Sequence, residues 1–453
     1  MNPLSLSDIA ALSGATLMAG DRERVVLRLS KDTRSILPGD LYVALRGDRF
    51  DGNSFIAEAA SKGAVAALCE TDVPAGLPRG FGVLTTPDSL GALTGMAAGW
   101  RSRLGLKAVV ITGSSGKTST KDFTHSVLRG RLRTTATVGN LNNQIGLPLS
   151  IMAANIGDDA AVWEIGMNHR GEIAPLAGLA RPDIAIITGI GTAHIENLGS
   201  REEIAREKGD LLEKLTPSGN AVIPAHDDFA GELRSRTAAR ILEVGFDSGE
   251  LRATGITPDD EGSRFVIEGA FGRAEAYLPV PGRHMVGNAL LAVGAGVLLG
   301  IPLGECSASL AGIELTSGRL GRMVRRGVTI LDDTYNANPD SMVAALETLS
   351  SLPGDGRRIA VLGRMGELGI HAGEGYERVG KAAAVAVDTL LCVGSEAGAM
   401  AEAASRAGLG DARVLPDNAT AASLLSSLAR EGDLVLLKAS RSARMEEVLQ
   451  RFN

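Results

Sequence analysis

Short apolar runs, set off by polar and glycine-rich turns, alternate along this chain with longer stretches of helical period. Ser5 and Ser7 are placed to cap a first short helix that stops at Gly14. Runs at 25–29 and 41–45 read as strands around the turn Pro38-Gly39-Asp40. A helix over 54–62, a strand over 65–68 and a helix over 88–104 follow. Apolar runs at 108–112, 160–165, 183–188 and 220–224 read as strands with helical stretches between them. Residues 251–280 alternate and are turn-rich, as antiparallel strands are, and an apolar helix opens within 281–289. A last series at 328–332, 358–362, 389–393, 412–415 and 433–438 again alternates strand with helix. Strands alternating with helices imply parallel sheets. The pattern therefore predicts an α/β protein of three domains: a small N-terminal α/β domain (1–104), a central parallel-sheet domain (105–315) and a C-terminal Rossmann-like domain (316–453).

The length of 453 residues suits that number of domains. With 57 glycines and only 3% aromatic residues, tight turns of α/β units fit better than an aromatic-cored sandwich. The net charge of −7 excludes a general nucleic-acid binder, which needs a basic face. Cys69, Cys306 and Cys392 lie far apart and suggest neither a disulfide framework nor a zinc site. No signal peptide or membrane span is expected, so the reading is a cytoplasmic protein without membrane insertion.

Candidate chemistry centres on Thr112-Gly113-Ser114-Ser115-Gly116-Lys117-Thr118-Ser119, which follows a strand and precedes a helical pattern. Glycines let backbone N–H groups close on a phosphate, and the helix start adds its positive end. Lys117 would reach the outer phosphates and Thr118 would hold magnesium. The strict pattern begins with a glycine where this chain has Ile111, so the loop is a variant.

Other candidates stand beyond strand ends, where α/β sheets bind ligands. Asn140, Asn142 and Asn143 cluster in one polar loop, either for a polar ligand or as a turn-rich connection. Glu164 ends an apolar strand, either facing magnesium or closing a salt bridge. His194 follows Gly189-Ile190-Gly191 as a ligand, an acid or base, or a structural histidine. Lys208 falls on the apolar stripe of a helix over 201–215, either snorkelling outward or aimed at a phosphate. His284 and Asn288 share a helix face that suits adenine or serves capping. Near the N-terminus, Thr33, Arg34 and Arg49 suit a phosphate or uracil edge, or a solvated surface loop.

Together with Arg319 and the stretch 332–336, these features resemble the Mur ligase family over the whole chain. The stretches 139–148, 164–173, 332–339, 362–369 and 438–444 are most similar to the branch that adds D-alanyl-D-alanine. The Asp-Asn-Pro-Arg motif of the branch adding the third residue is not found. Met285, Gly287, Arg364 and Ala439 depart from the family's usual residues.

The resemblance implies an ADP-forming ligase with UDP-N-acetylmuramoyl-tripeptide and D-alanyl-D-alanine as partners, acting as a monomer. It implies ATP held by 113–119, His284, Asn288, Arg319 and Asp333. It also implies two magnesium ions held by Thr118, Glu164, His194 and a carbamylated Lys208. Substrate contacts would come from Thr33, Arg34, Arg49, Asn140, Asn142, Asn143, Asn336 and Arg441. The alternatives are a third-residue-adding ligase, a folylpolyglutamate-synthetase-like ligase and, outside the ligases, a nucleotide-gated switch.

Overall fold

The structure is a computed structural model that describes residues 1–47, 50–73, 75–259 and 261–452. Two compact units form. One comprises Met1–Val110, Leu132–Gly166 and Glu172–Asp183; the other comprises Ile111–Arg131, Met167–Gly171 and the chain from Ile184 on.

In the first unit a five-stranded sheet runs in the order Thr16–Ala19, Gly82–Thr85, Ala66–Cys69, Asp40–Val43, Arg28–Ser30. All neighbours are parallel except the first pair. Asp40–Val43 and Ala66–Cys69 are buried along their whole length, as strands covered on both faces are. Ile36, Tyr42, Ile56, Ala59, Phe81 and Val83 form the core on one side. The first helix, Leu6–Ser13, carries the expected Ser5 cap and ends at Gly14 with φ +69°. The strand expected at 25–29 divides at Leu27 into Val25–Val26 and Arg28–Ser30. Elsewhere in this unit, Thr134–Ala136 and Ala160–Glu164 pair in parallel.

The second unit holds two sheets. Ile184–Ile187, Asn220–Pro224, Arg240–Gly245 and Leu251–Pro258 are parallel neighbours in turn. Ser263–Gly269 and Gly272–Leu278 then extend the sheet as antiparallel strands. The alternation at 251–280 is thus a meander, as its pattern indicates. Arg240–Gly245 is a strand that the hydrophobic pattern does not reveal, because Arg240 and Glu243 interrupt its apolar run. The other sheet orders Gly321–Arg325, Val328–Asp333, Leu434–Lys438, Arg358–Leu362, Thr389–Val393 and Ala412–Leu415. It is parallel except for the hairpin formed by the first two strands. Val328, Ile330, Ile359, Val361, Val435 and Leu437 pack one of its faces against Leu425 and Val448. Each such side chain contributes about 1.5–3 kcal/mol when fully buried. No helix among the described residues is long and apolar enough to cross a membrane.

Candidate active site

The turn between Lys107–Thr112 and the helix Lys117–Arg129 has the backbone its glycines suggest. Gly113 has φ +150°, and a Cβ there would stand 1.9 Å from Thr188 Oγ1. Gly116 has φ +82°, and its Cβ would stand 2.5 Å from Asn288 Oδ1. No other residue fits either place without moving a neighbour. Gly116 is also the N-cap of the helix, and no side chain caps it. A helix start without a side-chain acceptor presents N–H groups and a positive dipole end suited to an anion.

Contacts from elsewhere in the second unit fix the loop. Gly191 N–H donates to Ser114 Oγ (2.8 Å) and Thr188 Oγ1 donates to the Ser115 carbonyl (2.5 Å). Asn338 Nδ2 donates to Ser115 Oγ (3.0 Å) while Asn338 Oδ1 caps the helix Pro339–Ser351. Lys117 Nζ lies on the Gly113 carbonyl (2.8 Å) and Arg319 Nη2 donates to Thr118 Oγ1 (2.8 Å). Thr118 and Ser119 are both buried.

Lys208 is not a snorkelling lysine. It is 0% exposed, and its Nζ has no hydrogen-bond partner among the described residues. Burial drives its pKa well below the ordinary lysine value; the Lys117 charge adds to this and Glu207 opposes it. Such surroundings disfavour the charged ammonium form. His194, at φ +65°, starts the short helix Ile195–Leu198, and its Nδ1 lies 2.5 Å from a Glu367 carboxylate oxygen. Burial lowers the His194 pKa, against the pull of that carboxylate. Glu367, itself at φ +60°, is lowered chiefly by His194. Nearby, Asp340 accepts from both the N–H (2.8 Å) and the hydroxyl (2.9 Å) of Thr192, and it pairs with Arg378.

A second group surrounds the start of the helix Arg283–Leu298. Burial pushes the His284 pKa down to about 4, with Asp333 and Lys438 exerting opposite, smaller effects. Its ring is therefore neutral, which suits contact with a base. Asp333 Oδ2 takes a 2.5 Å contact from Lys438 Nζ, which also donates to the Asn336 carbonyl (2.9 Å). Asp333 and Lys438 are register partners on adjacent parallel strands. Asn288 turns its amide toward Gly116 and the sulfur of Met285 (3.8 Å), so it buttresses the phosphate loop. Ala439, where the family usually has glycine, packs against Gly363, which has no Cβ to oppose it. The Arg364 departure pairs with Glu396 (2.8 Å). The Asn336 side chain is exposed, and Arg441 pairs with Glu446 at the surface.

In the first unit, Glu164 is buried and its Oε1 accepts from Asn142 Nδ2 (2.7 Å). Asn143 Oδ1 accepts from the N–H groups of Ile145 and Gly146, and Asn140 is exposed. The three asparagines are therefore differentiated, with Asn143 spent on its own turn. Thr33 Oγ1 donates to Glu58 (2.9 Å), and Arg34, 86% exposed in its side chain, pairs with Asp32. Arg49 lies outside the described residues.

Sequence reasoning missed Asn338, Asp340, Glu367 and Lys438 as single residues. Pro339 after a polar run marked the helix start, but nothing in the spacing aimed Glu367 at His194.

Comparison with known proteins accords with this geometry. Residues 28–83 match the Mur ligase family catalytic domain, 111–296 the Mur ligase middle domain and 318–441 the Mur ligase glutamate ligase domain. The chain is 33% identical over 452 residues to the UDP-N-acetylmuramoyl-tripeptide–D-alanyl-D-alanine ligase of Bacillus subtilis, covering 98% of this chain and 97% of that protein. It is similar to a crystal structure of MurF from Acinetobacter baumannii (TM-score 0.90, 30% identity, 100% and 99% covered). It is similar as well to the MurF ligase of Thermotoga maritima in complex with ADP (TM-score 0.81, 28% identity, 94% and 96% covered). By three successive domain matches and, over 98% of its length, 33% identity to the Bacillus subtilis relative, this chain belongs to the Mur ligase family.

Proposed function

We propose that this chain is an ATP-dependent, ADP-forming ligase that joins D-alanyl-D-alanine to UDP-N-acetylmuramoyl-tripeptide in the cytoplasm. The observation that carries the reading is a variant phosphate loop opening a helix, set in a chain of which 98% is matched by a relative of that name. The same match favours it over the third-residue-adding, folylpolyglutamate and switch alternatives. The proposed domain roles are the UDP end for 1–104, ATP for 105–315, and closure over the nucleotide for 316–453.

The chemistry follows from the difficulty of the reaction. A carboxylate resists attack by an amine because it would have to expel oxide. Transfer of the γ-phosphoryl group of ATP to a carboxylate oxygen gives an acyl phosphate and ADP. The amine of D-alanyl-D-alanine then attacks the carbonyl carbon, the C–O bond to phosphate breaks, and a proton leaves the nitrogen. The chain's own contribution is charge and position. Lys117 leaves the Gly113 carbonyl for the β- and γ-phosphates. The N–H groups at the helix start hold the phosphate oxygens, and Arg319, already beside Thr118, faces the γ side. Neutral His284 meets the base, and Asp333, held by Lys438, meets the ribose.

Magnesium fits part of the expected ligand set. The buried Thr118 hydroxyl and the Glu164 carboxylate are oxygen donors of the kind it prefers, whereas the His194 imidazole is a poorer match. When bound, magnesium neutralises charge on the phosphates. An unmodified Lys208 offers only nitrogen, a poor donor for magnesium. Burial of this unpartnered amine favours its uncharged form, which is the form that adds to CO₂, losing a proton to give a carbamate. Peptide mass after chemical trapping of the carbamate in the folded protein would reveal that adduct on Lys208. An unmodified residue under saturating bicarbonate would reject it.

The test of function is phosphate release from Mg-ATP and UDP-N-acetylmuramoyl-tripeptide, with and without D-alanyl-D-alanine, followed by product mass. Release that requires both substrates, with a product heavier by one dipeptide unit, is expected. ATP turnover indifferent to both would overturn the reading.

A further inference from the structure

Asp122 has no part in the nucleotide contacts described above. It stands one turn beyond Thr118 on the phosphate-loop helix, so the two share a face. Its Oδ2 accepts from both the N–H (3.0 Å) and the hydroxyl (2.9 Å) of Thr316. Its Oδ1 lies 2.5 Å from Lys121 Nζ; the Lys121 side chain is buried, 6% exposed, and that of Asp122 is 10% exposed. Burying such a pair is costly unless the remaining lone pairs are satisfied, and here the two donors of Thr316 satisfy them.

Three residues after Thr316, Arg319 Nη2 reaches Thr118 Oγ1 (2.8 Å). Residues 316–319 are thus tied at both ends to the Thr118–Asp122 face. Between the ties, Gly318 at φ +75° turns the chain and its carbonyl accepts from Tyr335 N–H (3.1 Å). The Arg319 guanidinium lies over the Tyr335 ring, 4.3 Å from its centre. Leu320, at φ +54° and 2% exposed, closes the turn. A left-handed leucine persists only where its surroundings hold it. Arg319 Nε is buried and has no hydrogen-bond partner among the described residues, so a fixed guanidinium keeps one donor unused.

We propose that Asp122 and Thr316 are positioning residues. The Lys121–Asp122 pair, largely shielded from solvent, anchors Thr316, and this anchor holds Arg319 at the mouth of the phosphate loop for the γ-phosphate. The inference deepens the proposed function and rests on it for the role of Arg319. An unanchored arginine would sample many rotamers and would have to be ordered with each nucleotide bound. A merely structural tie would affect all nucleotides alike, whereas a tie acting through Arg319 affects those that carry a γ-phosphate.

The experiment is calorimetric binding of ADP and of a non-hydrolysable ATP analogue to the full chain. The variants are Thr316→Val, Thr316→Ser, Arg319→Met and the double variant Thr316→Val/Arg319→Met, each with a thermal melt. Thr316→Val keeps the backbone N–H bond to Asp122 and loses only the hydroxyl. It is expected to weaken the ATP analogue about tenfold and ADP less than about twofold, as fits one hydrogen bond to a charged group. Thr316→Ser restores analogue binding. In the Arg319→Met background, Thr316→Val has less than about a twofold further effect, because coupled residues are not additive. Equal weakening of both nucleotides by Thr316→Val would overturn the proposal. A full additional tenfold loss in the Arg319→Met background would do so too. These readouts need no ligation. If substrate-dependent ligation is absent while the binding pattern holds, the proposed function fails and the anchor stands.

Discussion

The phosphate loop and the residues that converge near it from the C-terminal part of the chain are built on different principles. From Thr112 to Ser119 the site is local: two glycines, a helix start and Lys117 generate it through backbone geometry. From Arg319 to Lys438 the contributions are single side chains that meet only because strands and helices deliver them. Lys438 meets Asp333 through strand register, and Asn338 and Asp340 come from one helix start. Glu367 reaches His194 from a residue at positive φ. A local site tolerates no change of backbone, even though distant residues brace it. A dispersed site loses one contact at a time.

That contrast sets the order of expected effects. Lys117→Ala should lower ligation about a thousandfold or more while the melting temperature stays within a few degrees; retained turnover would show that the loop is not the phosphoryl site. Gly113→Ala should cost about 3 kcal/mol of stability in denaturant titration, since the new methyl would overlap Thr188 Oγ1. An undiminished midpoint would mean that the loop is looser than its geometry requires. Asp333→Asn should cost about 2 kcal/mol, because it weakens a charged contact to the buried Lys438 without removing every acceptor. ADP affinity measured on the same variant would separate the ribose contact from the stability effect.

The smallest effect is one of pH. His284 has its pKa depressed from 6.5 to about 4 in the fold. Between those values the unfolded chain binds a proton that the folded chain does not, so His284 makes stability fall as pH falls through that window. Above pH 6.5 its contribution is flat. His284→Gln should remove this part of the slope, read as the difference between the two melting curves from pH 7 to 5. Parallel curves would mean that the ring is not desolvated.

Legibility follows the same division. The helix at Leu6–Ser13, the meander at 251–280 and the last parallel strands were all readable, because capping residues and period-two or continuous apolar runs encode them directly. The strand Arg240–Gly245 and the hairpin strand Gly321–Arg325 were not, since charged residues interrupt their apolar pattern. In the site, the loop was readable by spacing. Lys208 on an apolar stripe left two alternatives that only its complete burial decides. Asp122, Asp340 and Glu367 each look like an ordinary surface acid in the sequence, and their roles come from tertiary placement alone. Asn142 was singled out within its cluster only once its amide was found on Glu164.

The most direct test of the central claim follows oxygen. The terminal carboxylate of UDP-N-acetylmuramoyl-tripeptide is labelled with oxygen-18, and ligation to D-alanyl-D-alanine is run with unlabelled Mg-ATP. The account requires phosphoryl transfer to that carboxylate and later cleavage of the acyl C–O bond, so one labelled oxygen must appear in each phosphate released. Unlabelled phosphate, with the departing labelled oxygen found in water instead, would contradict it.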